Sequence, residues 1–425
     1  MIKIEDYIEK YLSKWDFFGV ISVMCKEKVI FEKAYGYSCI EFDLKNTINT
    51  RFSLASMTKQ FTAFAIMQLN EKHLINIDEP ANKYLPLDIR IDERITIHHL
   101  LSHTSGLHNF YNFDDNFFGV YNRNNYSKME FFNKYINQDL SFNPGERFDY
   151  NNSGYNLLAW IIENVSGMEY YAYLNESIFI PLNMTNTCVD DGSVLLKNKA
   201  YNYVMDKDKY IRSPYFNEKY SIGAGALISN CEDLYKWYHC LKNKKILLRE
   251  SYNRFFNENL NGYCYGLERS LVHGNMRYSH GGDHFGILTF MQNFFDEDIC
   301  IIILSNNECI NQYKLGNAIT NILHGIKPDD MKLYKEIVLD EKFASEYEGI
   351  YLDGKIQLSR INDRWYFVRF NGNLHISIYP IGNHQFMSRF QDRMQPYSLY
   401  CCDDGIFEFF GYKKTTNNIR KRPVK

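Results

Sequence analysis

The stretch "SLASMTKQFTAF", residues 53–64, places a hydroxyl and an amine three residues apart at the start of an apolar run. Residues i and i+3 share one side of a helix, so the amine of Lys59 can reach the hydroxyl of Ser56. The N–H groups at a helix N-terminus favour negative charge, which would stabilise an alkoxide or oxyanion there. The spacing predicts a serine nucleophile with a lysine base. The alternative is a capping serine followed by an ordinary lysine.

The residues after this pair decide whether the lysine is a usable base. Residues 56–73 predict a helix that is apolar almost all round, which implies burial on every side. Burial disfavours the ammonium form and lowers the pKa of the lysine, so the amine can accept a proton near neutral pH. Because the S-x-x-K spacing is common by chance, the interpretation needs support from the rest of the chain.

The composition is that of a globular protein. The chain has 425 residues, of which 45% are apolar and 23% charged, so its length predicts more than one domain. A formal net charge of -3 gives no general attraction to nucleic acid or to an anionic membrane. The basic C-terminal tail, which includes Arg420, Lys421 and Arg422, is interpreted as a solvated end without an aromatic platform.

Cysteine use and the N-terminal segment predict the compartment. Ten cysteines are scattered from Cys25 to Cys402 without a C-x-x-C pair, which favours free thiols in a reducing environment. The opening "MIKIEDYIEKYLSKW" carries acidic residues and lacks the apolar core of a signal peptide. No later stretch reaches the ~18 uncharged apolar residues that a membrane span requires. We therefore predict a cytoplasmic protein without a membrane partner.

The order of strand-like and helix-like segments predicts two units. Strand patterns occur at residues 18–25 and 28–37 and again between 223 and 305, with helices and loops between them. This order predicts that residues 1–325 form one α/β domain that contains a helical insertion. A charged linker is predicted at 326–344. Residues 345–425 read as successive short strands separated by turns, which is typical of an antiparallel barrel.

Two further segments carry candidate site residues. In "NPGERFDYNNSGY", residues 143–155, Tyr150 and Asn152 are predicted on a loop before a helix, where a phenol can relay protons and an amide can hold an ammonium. In "YSHGGDHFG", residues 278–286, the glycines after His280 allow a ligand to approach the strand, whose N–H groups can stabilise an oxyanion. His284 is a competing H-x-G match, and His280 is preferred because two glycines follow it directly.

No cofactor or metal is predicted. His99 and His103 have the i, i+4 spacing of a helical metal pair, but no H-E-x-x-H motif and no third ligand accompany them. No phosphate-binding glycine loop precedes a helix, and "GAGA" at 223–226 is interpreted as a packing turn.

The ordered motifs S-x-x-K, Y-x-N and H-x-G resemble those of the serine β-lactamase-related and penicillin-binding-protein-like hydrolases, in particular the class C β-lactamase type. The segments "RFSLASMTKQFTA", "ITIHHLLSHTSGL", "NPGERFDYNNSGYNLLAWIIENVSG", "IFIPLNMTNT", "GAGALISNCEDLYKW" and "YSHGGDHFG" carry the resemblance over residues 8 to 325. It implies a β-lactamase/transpeptidase-like fold, with an antiparallel sheet flanked by helices. The C-terminal unit, opening "YEGIYL", is similar to small lipocalin-like barrels.

The resemblance also implies a role for each matching position. Ser56 would form an acyl-enzyme, Lys59 and Tyr150 would move its proton, and Asn152 would hold the substrate amide. His280 would adjust Tyr150 and meet a substrate carboxylate on the strand that contains Gly282. The backbone N–H groups of Ser56 and Asp283 would form the oxyanion hole, where each donor contributes about 3 kcal/mol to catalysis.

The function that follows is a serine hydrolase cleaving an ester, an amide or a D-amino-acid-type peptide, with a small-molecule or short-peptide acyl substrate. The alternatives are a catalytically silent scaffold or sensor, a penicillin-binding DD-peptidase or β-lactamase, and a ligand-binding role of the barrel. The carboxylate of Asp283 beside the anion site argues against substrates with a terminal carboxylate. The sequence makes no prediction of the oligomeric state.

Overall fold

The computed structural model describes residues 3–112, 123–190, 195–329, 334–351, 356–369, 374–392, 397–401, 407–409 and 412–416. The end of the basic tail, residues 417–425, lies outside this part of the chain. The described strands are β1 Gly19–Cys25, β2 Lys28–Tyr35, β3 Tyr37–Cys39, β4 Leu44–Lys45, β5 Phe52–Ser53, β6 Cys188–Val189, β7 Tyr203–Asp206, β8 Lys209–Arg212, β9 Leu227–Ser229, β10 Glu268–Val272, β11 Asn275–His284, β12 Ile287–Phe294, β13 Ile299–Ser305, β14 Gly349–Tyr351, β15 Ile356–Ile361, β16 Arg364–Arg369, β17 Leu374–Gly382, β18 Gln385–Ser388, β19 Tyr397–Cys401, β20 Phe407–Phe409 and β21 Tyr412–Thr416.

The main sheet joins the two ends of the first unit. Its strand order is β10-β11-β12-β13-β1-β2, and every neighbouring pair is antiparallel. Gly19 of β1 pairs with Ser305 of β13, so residues almost 300 positions apart form the centre of the sheet. The predicted antiparallel sheet, built from distant parts of the chain, is therefore confirmed.

Both faces of this sheet are covered, which explains why its central strands are apolar throughout. In β13, Ile301 and Ile303 pack on one side with the N-terminal helix, and Ile302 and Leu304 pack on the other side with the helical region. Successive side chains of a strand point to opposite faces, so a strand buried on both sides reads as a continuous apolar run. The helices are Ile4–Leu12, Lys59–Glu71, Ile97–Leu101, Lys128–Tyr135, Asn152–Ser166, Tyr170–Leu174, Cys231–Lys242, Arg249–Phe255, Gln312–Leu323 and Glu341–Tyr347.

The helix predicted at 56–73 differs at its start. Residues Ala55–Thr58 form a turn of 3₁₀-helix and the α-helix runs from Lys59 to Glu71. Every residue from Lys59 to Leu69 is buried, as the all-round apolar pattern predicted. The helix packs against Asn152–Ser166, so the segment that contains Ser56 and Lys59 lies next to the segment that contains Asn152.

The C-terminal strands form a curled antiparallel sheet. Each strand from β14 to β21 pairs with the next, and β14 pairs with β21, which closes the sheet on itself. Leu358, Ile378 and Phe386 fill its interior with no exposed surface. The predicted antiparallel barrel architecture is present. The likeness to lipocalins and the boundaries at 325 and 345 stay predictions.

No helix within the described ranges is long and apolar enough to cross a membrane.

Candidate active site

The turn that carries Ser56 is held by strands on two sides. The N–H of Leu54 donates to the carbonyl of Leu227 in β9 at 2.7 Å, and the N–H of Leu227 donates to Thr58 Oγ1 at 3.1 Å. Ala55 has φ +46°, a left-handed conformation that is unfavourable for a residue with a Cβ. A strained residue directly before the predicted nucleophile shows that the surrounding contacts determine this turn.

Lys59 is the first residue of the helix, and its amine lies within hydrogen-bond distance of the Ser56 hydroxyl. Lys59 Nζ is 3.0 Å from Ser56 Oγ, 2.8 Å from Asn152 Oδ1 and 2.9 Å from the carbonyl oxygen of Ala224. The side chain has no exposed surface. Burial holds the pKa of the Lys59 amine well below its usual range, because no carboxylate among the described residues compensates for the lost hydration.

These contacts limit the hydrogen bonds that a neutral Lys59 amine can form. A neutral amine has two N–H donors and one lone pair, and carbonyl oxygens can only accept. If the N–H groups of Lys59 donate to Asn152 and Ala224, its lone pair faces Ser56 and can accept the serine proton. The surface-lysine alternative is incompatible with this complete burial.

Tyr150 and Asn152 reach the same point from the next helix. Asn151 caps that helix by accepting from the N–H of Gly154 at 3.0 Å, so the helix starts at Asn152. The prediction that both residues precede the helix was therefore wrong for Asn152, which occupies its first position. This placement fixes the Asn152 amide on a rigid element against Lys59.

The phenol of Tyr150 lies beside both Ser56 and Lys59. Lys59 Nζ is 4.8 Å from the centre of the Tyr150 ring. Burial raises the pKa of the phenol well above its usual range, and the nearby Ser56 hydroxyl offsets only part of that rise. The hydroxyl oxygen is buried and has no hydrogen bond of ordinary geometry within the described residues. At neutral pH the environment therefore favours a protonated phenol beside a neutral amine.

His103 positions the Tyr150 loop, a role that sequence reasoning missed. Its carbonyl accepts from the N–H of Asp149 at 2.9 Å, and its Nδ1 accepts from the N–H of Asn151 at 3.0 Å. The His103 ring lies 4.4 Å from the Tyr150 ring, centre to centre. Both neighbours of Tyr150 are thus held by one buried histidine. The i, i+4 spacing with His99 suggested a pair on one helix. The helix ends at Leu101, so His103 lies beyond it and contacts the Tyr150 loop instead.

Gly282 allows the strand β11 to lie against the nucleophile turn. A Cβ at this position would meet the carbonyl oxygen of Leu54 at 2.2 Å and Thr289 Oγ1 at 2.3 Å. Thr289 Oγ1 itself donates to the same carbonyl at 2.9 Å. The glycine of the H-x-G motif is therefore explained by a close approach of two backbones.

The register of the β11–β12 hairpin orients the N–H of Asp283. Phe285 and Gly286 form a two-residue turn, so His284 and Ile287 are the hydrogen-bonded pair that flanks it. The next pair, Asp283 and Leu288, is a non-hydrogen-bonded pair, and the N–H of Asp283 points away from β12. Pairing with β10 ends at Ser279, so this N–H lies on the cleft side of the strand.

His280 is buried and uncharged. Its Nδ1 donates to the carbonyl of Gly281 at 2.6 Å, which leaves Nε2 to accept from the hydroxyl of Tyr263 at 3.1 Å. Burial and the nearby Lys59 lower the pKa of His280 to about 3. A neutral imidazole with both nitrogens occupied is a poor partner for a substrate carboxylate.

The predicted residues meet in one cleft of about 230 Å³. Ser56, Tyr150, Asn152, His280 and Asp283 line it, with Lys59 beneath and Gly282 behind. Two lining carboxyl groups, Glu218 and Glu268, were not predicted from the sequence. Burial raises the pKa of Glu218 to about 8, although Ser221 donates to it at 2.9 Å, and burial also raises the pKa of Glu268. No short-range motif marks either residue.

The described ionisable side chains that line the cleft include carboxyl groups but no strong base. Among the described lining residues there is no lysine or arginine, and the pKa of the lining His284 is lowered by burial to about 4. Three carboxyl side chains, those of Glu218, Glu268 and Asp283, are present. Within the described ranges no group of histidine, cysteine and acidic residues is arranged to hold a metal ion.

Comparisons with known proteins identify the family. The Beta-lactamase family model matches residues 4–319. The chain is 28% identical to Penicillin-binding protein 4* of Bacillus subtilis (strain 168) over 421 residues, covering 91% of each protein. The octameric penicillin-binding protein homologue from Pyrococcus abyssi has a similar structure, with a TM-score of 0.66, 24% identity, and coverage of 96% of this chain and 98% of that one.

A D-stereospecific amidohydrolase from Streptomyces sp. shares the fold as well, with a TM-score of 0.63 and 22% identity over 71% of this chain and 93% of that one. The family match extends over most of the chain and includes every motif that forms the cleft. The chain therefore belongs to the beta-lactamase family, a family of hydrolases that act on small-molecule or peptide substrates.

Proposed function

We propose that this protein is a serine hydrolase that cleaves an ester, an amide or a D-amino-acid-type peptide through an acyl-enzyme on Ser56. The observation that carries the proposal is the buried amine of Lys59, which lies 3.0 Å from Ser56 Oγ and has two carbonyl acceptors for its other contacts. A buried neutral amine at this distance is a general base for the serine hydroxyl.

The proposed sequence of steps uses the groups in the cleft. Lys59 takes the proton of Ser56 as the oxygen attacks the acyl carbon, and the N–H groups of Ser56 and Asp283 hold the oxyanion. The protonated phenol of Tyr150 donates a proton to the leaving group and recovers one from Lys59. Water then attacks the acyl-enzyme by the reverse use of the same groups. Asn152 keeps the amine and the substrate amide in place.

The charge of the cleft supports neutral or positively charged substrates. A substrate carboxylate would enter beside carboxyl groups and would find no cationic partner among the described lining residues. A substrate ammonium would instead favour ionisation of carboxyls whose pKa burial has raised. One protein of similar fold is a D-stereospecific amidohydrolase, and an amide substrate for this chain is in line with that similarity.

Penicillin binding is the second candidate, favoured by the similarity to Penicillin-binding protein 4* along 91% of the chain. It predicts acylation of Ser56 by a fluorescent penicillin. The charge preference of the proposed hydrolase can be tested with two substrates that share one scissile bond. D-alanine p-nitroanilide carries an ammonium group, and its N-succinyl derivative carries a carboxylate instead. We expect faster cleavage of the ammonium-bearing compound.

The primary test is covalent labelling. A fluorophosphonate should add to one serine, and intact-mass analysis should show loss of the adduct in Ser56→Ala. Ser221→Ala is the matched control, because Ser221 lines the same cleft but has no part in the proposed reaction. Absence of an adduct with every acylating probe, in folded protein, would refute the hydrolase and favour the catalytically silent scaffold.

The cytoplasmic location is also a proposal. The eight cysteines whose side chains are described are all free thiols, which supports a reducing compartment.

A further inference from the structure

The turn between β11 and β12 is held from behind by residues of the hydrolase unit. The N–H of Gly286 donates to Glu308 Oε1 at 2.6 Å, and Ser213 Oγ donates to the carbonyl of Phe285 at 2.6 Å. A Cβ at Gly286 would meet the backbone N and O of Tyr203 at 2.8 Å. This turn lies two residues beyond Asp283, so its position determines where the Asp283 N–H lies.

One of these contacts continues into the C-terminal barrel. Glu308 Oε2 accepts from Gln391 Nε2 at 3.1 Å. Gln391 belongs to the segment that follows β18 and is only 9% exposed. One carboxylate therefore bridges a barrel side chain and the turn of the catalytic strand.

The same barrel segment is fixed by its next residue. The N–H of Asp392 donates to the carbonyl of Cys309 at 2.9 Å. The Asp392 carboxylate accepts from Tyr11 Oη at 2.6 Å and pairs with Lys314 Nζ at 2.6 Å. These contacts hold Gln391 in register with Glu308.

A second connection runs through the β7–β8 hairpin. The N–H of Lys207 donates to the carbonyl of His375 in β17 at 2.7 Å, and the N–H of His375 donates to Asp206 Oδ1 at 2.7 Å. Tyr203, at the other end of β7, packs its backbone against Gly286. Both connections thus lead from the barrel to the same two-residue turn.

We propose that the C-terminal barrel braces the catalytic strand, with Gln391 and Glu308 as positioning residues for the turn at Phe285–Gly286. The inference rests on the proposed function for its catalytic consequence, because it assigns the barrel a role in acylation of Ser56. The barrel then contributes to the reaction through the geometry of the hydrolase unit, and none of its described residues lines the cleft.

The test perturbs the contact between Gln391 and Glu308 in the full-length chain. Gln391→Glu places a carboxylate against Glu308. The control, Gln385→Glu, makes the same change at a barrel residue whose side chain donates to Ser398 Oγ at 3.1 Å. The measurement is the acylation rate constant per active site, titrated by the burst of a p-nitrophenyl ester. A merely structural loss lowers the titrated amount, whereas misplacement lowers the rate constant.

We expect Gln391→Glu to slow acylation about ten-fold or more, since small displacements at a reacting centre have effects of that order. Gln385→Glu should stay within about two-fold of the unmodified protein. In a Glu308→Ala background, Gln391→Glu should cause no further loss, because the coupling passes through the carboxylate. Equal rate constants for all variants would overturn the brace.

Amide hydrogen exchange tests the brace without relying on activity. Exchange at residues 284–287 should rise in Gln391→Glu and in Glu308→Ala, and it should not rise in Gln385→Glu. If exchange rises as expected while the unmodified protein acylates no probe, the brace stands and the proposed function fails. If exchange is unchanged in both bridge variants, the brace fails whatever the activity.

Discussion

The amide of Asn152 offers the sharpest test of Lys59 as the general base. Asn152→Asp keeps the size of the side chain and places a carboxylate where the amide oxygen lies, 2.8 Å from Lys59 Nζ. A carboxylate stabilises the ammonium form and therefore raises the pKa of Lys59. Less neutral amine would then be available to take the proton of Ser56 at neutral pH.

The distance sets the size of this effect. Two unit charges at 2.8 Å interact by about 6 kcal/mol at an effective dielectric constant of about 20, which corresponds to a ceiling of about 4 pKa units. Measured effects of an adjacent opposite charge are about 1–3 units. At a pH below both pKa values, each unit lowers the neutral fraction, and with it the rate, about ten-fold.

The assay is the pH dependence of the acylation rate constant with a p-nitrophenyl ester. The acidic limb of the profile should move to higher pH in Asn152→Asp, and activity should recover as the pH rises. Asn164→Asp is the matched control, because it makes the same change at an exposed position of the same helix. An acidic limb at the same pH in folded Asn152→Asp would refute the assignment of Lys59 as the base.

Three further results are expected. Tyr150→Phe should slow the cleavage of a p-nitroanilide at least ten-fold more than that of a p-nitrophenyl ester, whose leaving group needs no proton; equal losses would contradict Tyr150 as the acid. Gly282→Ala should lower the acylation rate constant and destabilise the protein by about 1–3 kcal/mol, whereas Gly154→Ala, whose Cβ would meet only ordinary contacts, should do neither in kinetic and unfolding measurements. Glu218→Gln should raise the thermal midpoint relative to the unmodified protein at pH 8.5 but not at pH 5, because the pKa of Glu218 is raised to about 8 in the fold from an ordinary 4.5. The folded form thus loses stability as pH rises between those values, and identical differences at both pH values would exclude this titration.

Much of the fold was accessible from local patterns. The apolar run after Lys59 predicted a buried helix, and the strand patterns predicted between residues 223 and 305 correspond to β9 to β13. In the C-terminal unit, the predicted succession of short strands separated by turns is seen in neighbouring strands such as β15 and β16. Turn residues between short strands give such boundaries because they interrupt the alternating pattern.

Local patterns failed where a contact from elsewhere decides the conformation. The segment "GAGA" at 223–226 was interpreted only as a packing turn, but the carbonyl of Ala224 accepts a hydrogen bond from Lys59 directly before β9 begins at Leu227. His99 and His103 matched a helical spacing that a helix end removes. No neighbour in sequence indicates either outcome.

The sequence by itself identified the candidate reacting groups, since Ser56, Lys59, Tyr150, Asn152 and the H-x-G segment are each marked by neighbours a few positions away. Only the tertiary structure decided the pKa values of these groups and which other side chains line the cleft with them. Complete burial lowers the pKa of the Lys59 amine, burial lowers the pKa of His280, and Glu218 lines the cleft from a segment without any motif. The physical reason is that a pKa depends on hydration and nearby charge in three dimensions, whereas a motif records only order along the chain.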